Sequence, residues 1–292
     1  MLVLWACPPP TAAGPQVAPA AAPAPTVPLP EGETDDPPED ARTPAAATVA
    51  GPEMITIPAG PFTRGAVGGK PDELPVRTIV LAAFDIDRTE VAVEAYQACV
   101  AKGGCTPAGT GPGCNGGRAD RGRHPINCIT WAQADVYCRA AGKRLPTEAE
   151  WEKAARSADT RVYTWGNTWP PPRGGGNFAD TSAQRLRPYW LAIERYDDGA
   201  ANTQPVDARV IATAQGGLHF LGNVAEWVAD WYEPKAYESG PESDPPGPKR
   251  GRARVVRGGS FGQALAEDLR ATRRMYYDPL RASLHFGVRC AK

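Results

Sequence analysis

The chain has 292 residues, with 32 basic and 33 acidic side chains and a net charge of −1. That balance argues against a general electrostatic attraction to nucleic acid or to an anionic membrane surface. No apolar run is long enough to span a bilayer.

The first seven residues, Met1-Leu2-Val3-Leu4-Trp5-Ala6-Cys7, form a short apolar run ending in Leu-Trp-Ala-Cys. It is similar to a bacterial lipobox, whose cysteine is lipidated after signal cleavage. A charged n-region and most of the usual ~7–15-residue apolar region are missing, as they would be if the start site were placed too far downstream. From Pro8 to Ala50 the sequence is mostly Pro, Ala, Thr and acidic residues, with no aromatic side chain. Such a segment cannot bury enough apolar surface to offset its ordering entropy, so 8–50 is expected to be a disordered tether. Lipidation at Cys7 would then hold a domain spanning 51–292 off a membrane surface.

Within that domain, Met54 to Phe62 reads as a strand ending in a Pro/Gly turn, and Ile79 to Asp87 as a second strand. Residues 93–102 read as a helix with Tyr96, Cys99 and Val100 on one side, ended by Gly103-Gly104. Gly109 to Arg123, rich in Gly, Arg and turn formers, reads as a loop. Thr130 with Gln133, and Thr147 with Glu150, fit the capping box, so helices are expected over 131–141 and 148–156. Trp151 suits packing rather than ligand stacking. From Val162 onward Gly, Pro and Trp are frequent and apolar runs are short, which predicts loops with short strands. The basic run Lys249 to Arg254 reads as a solvated loop.

Cys99, Cys105, Cys114, Cys128, Cys138 and Cys290 are an even set, as three disulfides in an oxidising compartment would require. A zinc site is the weaker rival, since no CxxC pair occurs and only His124 lies nearby.

Four motifs then appear in order: Arg144-Leu145-Pro146-Thr147-Glu148-Ala149-Glu150-Trp151-Glu152, Gly222-Asn223-Val224-Ala225-Glu226-Trp227, Arg257-Gly258-Gly259-Ser260-Phe261 and Phe286-Gly287-Val288-Arg289-Cys290. Together they resemble the formylglycine-generating enzyme family, the sulfatase-modifying factors, over about residues 53–291. The resemblance implies an α+β, loop-rich fold with few short helices and strands, a variant of the C-type-lectin type. It also implies a Cys138–Cys290 bridge, leaving three pairings open among the other four cysteines.

The resemblance further implies structural calcium, which takes six to eight hard oxygen ligands. Asn177 and Phe178 match one family pair, and Asp198 and Ala200 a second, together one site. The alternative is an Asx-turn at Asn177 beside a solvated Asp197-Asp198 tip. Gly222, Val224 and Glu226 match a second site. There His219 stands where the family carries Asn or Asp, and imidazole is a poor calcium ligand; without the ion, Glu226 would accept hydrogen bonds from loop amides.

Active members hold copper(I) through two thiolates shortly after the Gly-Gly-Ser motif, soft donors that select that ion. Here Gly262 to Leu269 contains no cysteine. No copper and no catalytic residue are therefore expected, and the chain reads as a pseudoenzyme. Gly258-Gly259-Ser260-Phe261-Gly262 spells a nucleophile elbow, but that motif needs a following helix and a His paired to a carboxylate. Ser260, Asp268, Arg270 and Arg274 are the cleft candidates. The arginines either pair with buried carboxylates or grip an anionic or peptide ligand.

The functional expectation is a calcium-supported, extracytoplasmic and lipid-anchored bacterial module. It would bind a peptide, glycan or protein in a cleft near 258–276. The alternative is an oxidoreductase-type enzyme acting on a protein or small molecule through non-cysteine residues, with a metal recruited by His219 or Asp268.

Overall fold

The computed structural model of the protein describes residues 51–157 and 159–292. The readings of 1–7 and 8–50, with lipidation at Cys7, lie outside these residues. Strands β1 (Met54–Ile57) and β2 (Gly60–Arg64) are followed by β3 (Arg77–Leu81) and β4 (Phe84–Asp87). β1 pairs with β4 and β2 with β3, both antiparallel, with Ile57 opposite Phe84 and Gly60 opposite Leu81. The two ladders keep one register, so they form a single hairpin broken at Pro58-Ala59 opposite Ala82-Ala83. Pro58 has no amide hydrogen to give to a ladder. This is why the two strands expected over 54–62 and 79–87 are each divided. The chain end returns to this hairpin: Ala291 bridges both Ile86 and Arg144, and the Lys292 amide donates to Asp85 O at 2.8 Å.

Helices α1 (Val93–Ala101), α2 (Trp131–Ala140) and α3 (Glu148–Arg156) lie where the sequence placed them. Both capping boxes form. Gln133 N–H donates to Thr130 Oγ1 at 3.3 Å and Glu150 N–H to Thr147 Oγ1 at 3.2 Å, while the Thr147 amide reaches Glu150 Oε2 at 2.8 Å. Each cap contributes roughly 0.5–2 kcal/mol. A fourth helix, α4 (Thr181–Leu186), was not expected; Asp180 caps it through the Ala183 amide at 3.0 Å.

The larger sheet orders β7 (Met275–Tyr277), β6 (Arg254–Arg257), β5 (Ala225–Trp231) and β8 (Phe286–Val288), antiparallel except for the parallel β5–β8 pair. Trp151, Phe178, Phe220, Ile79 and Ile86 form one buried cluster, and Tyr96, Tyr137, Trp227, Ile126 and Val288 a second. Each fully buried Ile or Phe contributes about 1.5–3 kcal/mol. Three disulfides join Cys99–Cys105, Cys114–Cys128 and Cys138–Cys290. The last ties α2 to the chain end across 152 positions. Short helices, small sheets and long connections make this a loop-rich α+β fold, as expected.

Candidate metal loop and ligand cleft

After β6 the chain turns sharply at Gly258 and Gly259, with φ of +96° and +70°. A Cβ at Gly258 would lie 2.5 Å from Phe220 O, and one at Gly259 2.6 Å from a Leu269 methyl, so both the turn and its close packing require glycine. The turn delivers Ser260, 3 % exposed, against His285: Ser260 Oγ lies 3.0 Å from His285 Nδ1. Burial, then the charge of Arg187, push the His285 pKa down to about 4. No helix of catalytic-elbow type follows the turn, and among the described residues no carboxylate is hydrogen-bonded to His285. Ser260 and His285 thus form a hydrogen-bonded pair without the third group of a hydrolytic triad.

Beside the turn, Phe261 and Trp190 lie tilted against His285, with ring centroids 5.0 and 6.1 Å away. Arg187 lies over Trp190 at 4.3 Å. The same segment carries Leu186, Tyr189 and Leu191 at 58, 98 and 69 % exposure. One edge of the turn is therefore an exposed apolar and aromatic rim.

The structure brings the four residues of the first metal set together. The Asp198 carboxylate accepts the Phe178 amide at 2.9 Å and the Ala200 amide at 2.9 Å, which fixes the Asp198 tip against the Asn177-Phe178 backbone. Asn177 is fully buried; its Nδ2 donates to Asn202 O and to Asn223 Oδ1, but its Oδ1 has no partner. An orphaned buried amide oxygen costs about 1–3 kcal/mol. Burial, then the nearby Asp180 carboxylate, push the Asp198 pKa up to about 7. Its neighbour Asp197 faces outward to Ser182 and Arg185, and the Ser182 hydroxyl leads in lowering its pKa to about 2. An unsatisfied hard oxygen beside a carboxylate whose charge is poorly compensated is a donor set that fits a calcium ion.

The second set does not fit. Glu226 is fully buried and takes Trp151 Nε1 at 2.7 Å and Arg289 Nη2 at 2.8 Å, with Arg289 Nε at 3.0–3.1 Å from both oxygens. Its carboxylate is saturated by a cation and an indole, not by the loop amides expected in the absence of an ion. The Val224 amide goes to Glu90 instead, and Gly222 N–H donates to Gly258 O. His219 is 2 % exposed; burial, then the charge of Arg289, push its pKa down to about 3, so it is neutral.

Two cleft candidates pair with buried carboxylates, one on α3 and one on the turn at 71–73. Arg274, fully buried, forks onto Glu148 at 2.8 and 3.0 Å, and Arg270 pairs with Glu73. Pairing with buried carboxylates, rather than grip on a ligand, is what the geometry supports for both. Asp268 meets Lys70 at 3.5 Å and Arg273 at 3.2 Å.

The comparisons with known proteins agree with this architecture. The sulfatase-modifying factor enzyme 1-like domain matches residues 40–292. The chain belongs to the sulfatase-modifying factor family. The formylglycine-generating enzyme of Streptomyces coelicolor is 33 % identical, over 86 % of this chain and 95 % of its own. That of Thermomonospora curvata is 34 % identical, over 82 % of this chain and 92 % of its own. Among solved structures, PvdO from Pseudomonas aeruginosa superposes with a TM-score of 0.66 at 25 % identity, covering 82 % of this chain and 94 % of PvdO.

In this family member the polar side chains after the Gly-Gly-Ser motif are hard or neutral, and Gln263 and Asp268 are already engaged. Gln263 Oε1 accepts the Ser260 amide at 2.7 Å and its Nε2 donates to Met275 Sδ at 3.2 Å. The segment Gly262 to Leu269 itself offers neither a thiolate nor a thioether, the soft donors that select copper(I).

Two residues outside the expected site sets, Asn223 of the second motif and Glu90, join the parts. Asn223 receives Asn177 Nδ2, donates to Glu90 Oε2 at 2.8 Å, and its carbonyl accepts the Phe261 amide at 2.9 Å. It therefore couples the metal loop to the Ser260 turn. A φ of +55° at a buried Asn is its only unusual local feature, and that is not visible in sequence. Glu90 is fully buried, and burial with the neighbouring Glu226 charge holds its pKa well above the carboxylate range. A lone Glu after a strand carries no sequence signal of that kind.

Proposed function

We propose that this protein is a non-catalytic ligand-binding module of the sulfatase-modifying factor family, on a scaffold stabilised by one calcium ion and displayed outside the cytoplasm. The observation that carries the reading is the segment Gly262 to Leu269, where the scaffold is kept and no thiol is present. Formylglycine formation, as the relatives' names describe it, would need a different donor set at this place. The three disulfides support an oxidising compartment, and Cys7 is proposed as a lipid attachment point. Asn177, Phe178, Asp198 and Ala200 would hold the calcium, which would pin the 177–179 loop. That loop bonds directly to the cleft turn, the Ala179 amide donating to Gln263 O at 3.0 Å. Exposed Tyr189 and Leu191 beside Trp190 supply the apolar, aromatic surface on which binding energy concentrates. The ligand is a peptide, glycan or protein segment seated there.

Elemental analysis of the purified, disulfide-intact protein tests the metal half of this reading. One calcium per chain with no copper is expected. Stoichiometric copper, or aldehyde formation on a cysteine-bearing peptide incubated with copper(I) and the protein, would overturn it. For the binding half, a ligand recovered from peptide and glycan arrays should lose affinity by about tenfold or more in Tyr189→Ala. Unchanged affinity would place the ligand elsewhere.

A further inference from the structure

Arg64, on β2, is 6 % exposed, and its Nε is buried without a hydrogen-bond partner. Its guanidinium lies 3.9 Å from the Tyr237 ring centroid, and no carboxylate pairs with it among the described residues. The other buried arginines nearby are matched: Arg156 to Glu152, Arg257 to Glu148 and Glu152, Arg274 to Glu148. Two carboxylates already serve three guanidinium groups, and Arg64 is a fourth. Glu73, also buried nearby, is taken by Arg270, and Asp230 accepts the Glu148 amide at 2.6 Å. Burial, then the Glu148 charge, push its pKa up to about 8, so it adds little negative charge at neutral pH. The cluster therefore has an excess of positive charge, and a buried donor without an acceptor costs about 1–3 kcal/mol.

Arg64 lines a cavity of about 460 Å³ that opens to solvent. Ala149, Ala236, Tyr237 and the Pro245-Pro246-Gly247-Pro248 loop form apolar walls, with Lys235 and Lys249 also lining it. We propose that this cavity binds a monocarboxylate with an apolar body, its carboxylate received by the guanidinium of Arg64. A planar fork suits a two-oxygen anion. A dianion such as phosphate is disfavoured by Glu148 and Glu233, which share the lining. The volume is within the range of small-molecule sites, about 300–1,000 Å³. The proposal is independent of the calcium loop and of the Ser260 cleft.

The test is calorimetric titration of the intact protein with benzoate, together with the 15N signal of the Arg64 Nε–H group. Saturable one-to-one binding with a shift of that signal is expected, while neutral benzamide does not bind. Arg64→Gln should weaken benzoate by about tenfold or more. Ala236→Trp, which fills the cavity and leaves the ion pairs alone, should abolish binding and keeps the test open if Arg64→Gln does not fold. Acetyl-alanyl-phenylalanine binding more tightly than benzoate would assign the site to a peptide C-terminus, the reverse to a free acid; either supports the carboxylate class. Absence of benzoate binding, equal binding by both variants, or inorganic phosphate binding more tightly than benzoate would overturn the proposal.

Discussion

Glu226→Gln is the perturbation that separates a structural carboxylate from a metal ligand. The wild-type carboxylate accepts the Trp151 indole at 2.7 Å and both the Nε and Nη2 of Arg289, all buried. An amide offers one acceptor and one donor in its place. Either Trp151 or Arg289 then faces an N–H, and the Arg289 charge loses its partner. Breaking a buried pair by removing one member costs roughly 3–5 kcal/mol. Glu90, whose pKa burial and then the Glu226 charge hold well above the carboxylate range, becomes easier to ionise and returns part of that field, so the lower half of the range is expected. Against a total stability of about 5–15 kcal/mol this is a severe loss. It should move the urea midpoint by roughly 1.5–2 M for an m-value near 2 kcal/mol/M. The decisive comparison is the same titration in calcium and in EDTA. A loss of the same size in both is expected; a loss under about 1 kcal/mol, or one present only in calcium, would refute the assignment. The double variant Glu226→Leu/Arg289→Met should recover most of the lost stability, because it removes both charges.

The other predictions concern the metal loop, the disulfides and the buried acid. Asn177→Ala should abolish the rise in Tm on adding calcium; a persisting rise would place the ion elsewhere. Reducing Cys138–Cys290, or replacing both residues with Ala, should cost about 2–5 kcal/mol, because the bridge closes a loop of 152 positions; equal denaturation midpoints for the two forms would contradict this. Asp230 is an acid whose folded pKa is raised. Its contribution to stability is full below the ordinary carboxylate value and is lost as pH rises towards about 8. Asp230→Asn, which keeps an acceptor for the Glu148 amide, should flatten that decline between about pH 4 and 8 in denaturation curves. An unchanged slope would show that Asp230 is not the titrating group.

Local rules were enough for three of the four α-helices, but not for α4. The Thr-x-x-Gln and Thr-x-x-Glu boxes set the starts of α2 and α3, because a cap depends on residues three apart and on nothing distant. The motifs and their order were enough for the family, and the resemblance they carry implied the Cys138–Cys290 bridge. Tertiary structure decided the charges. Arg270 and Arg274 in sequence are only basic residues near a motif. Their carboxylates lie far back in the chain, Glu73 on the turn after β2 and Glu148 on α3, and meet them only in the packed chain. Glu226 likewise became the partner of Arg289 because β5 and β8 run parallel side by side, a pairing that joins residues far apart in the chain. Burial determines whether an ion pair is worth little or several kcal/mol, and whether an arginine is matched or, like Arg64, left facing a cavity. Burial depends on the whole packed chain, so no window of sequence could carry it.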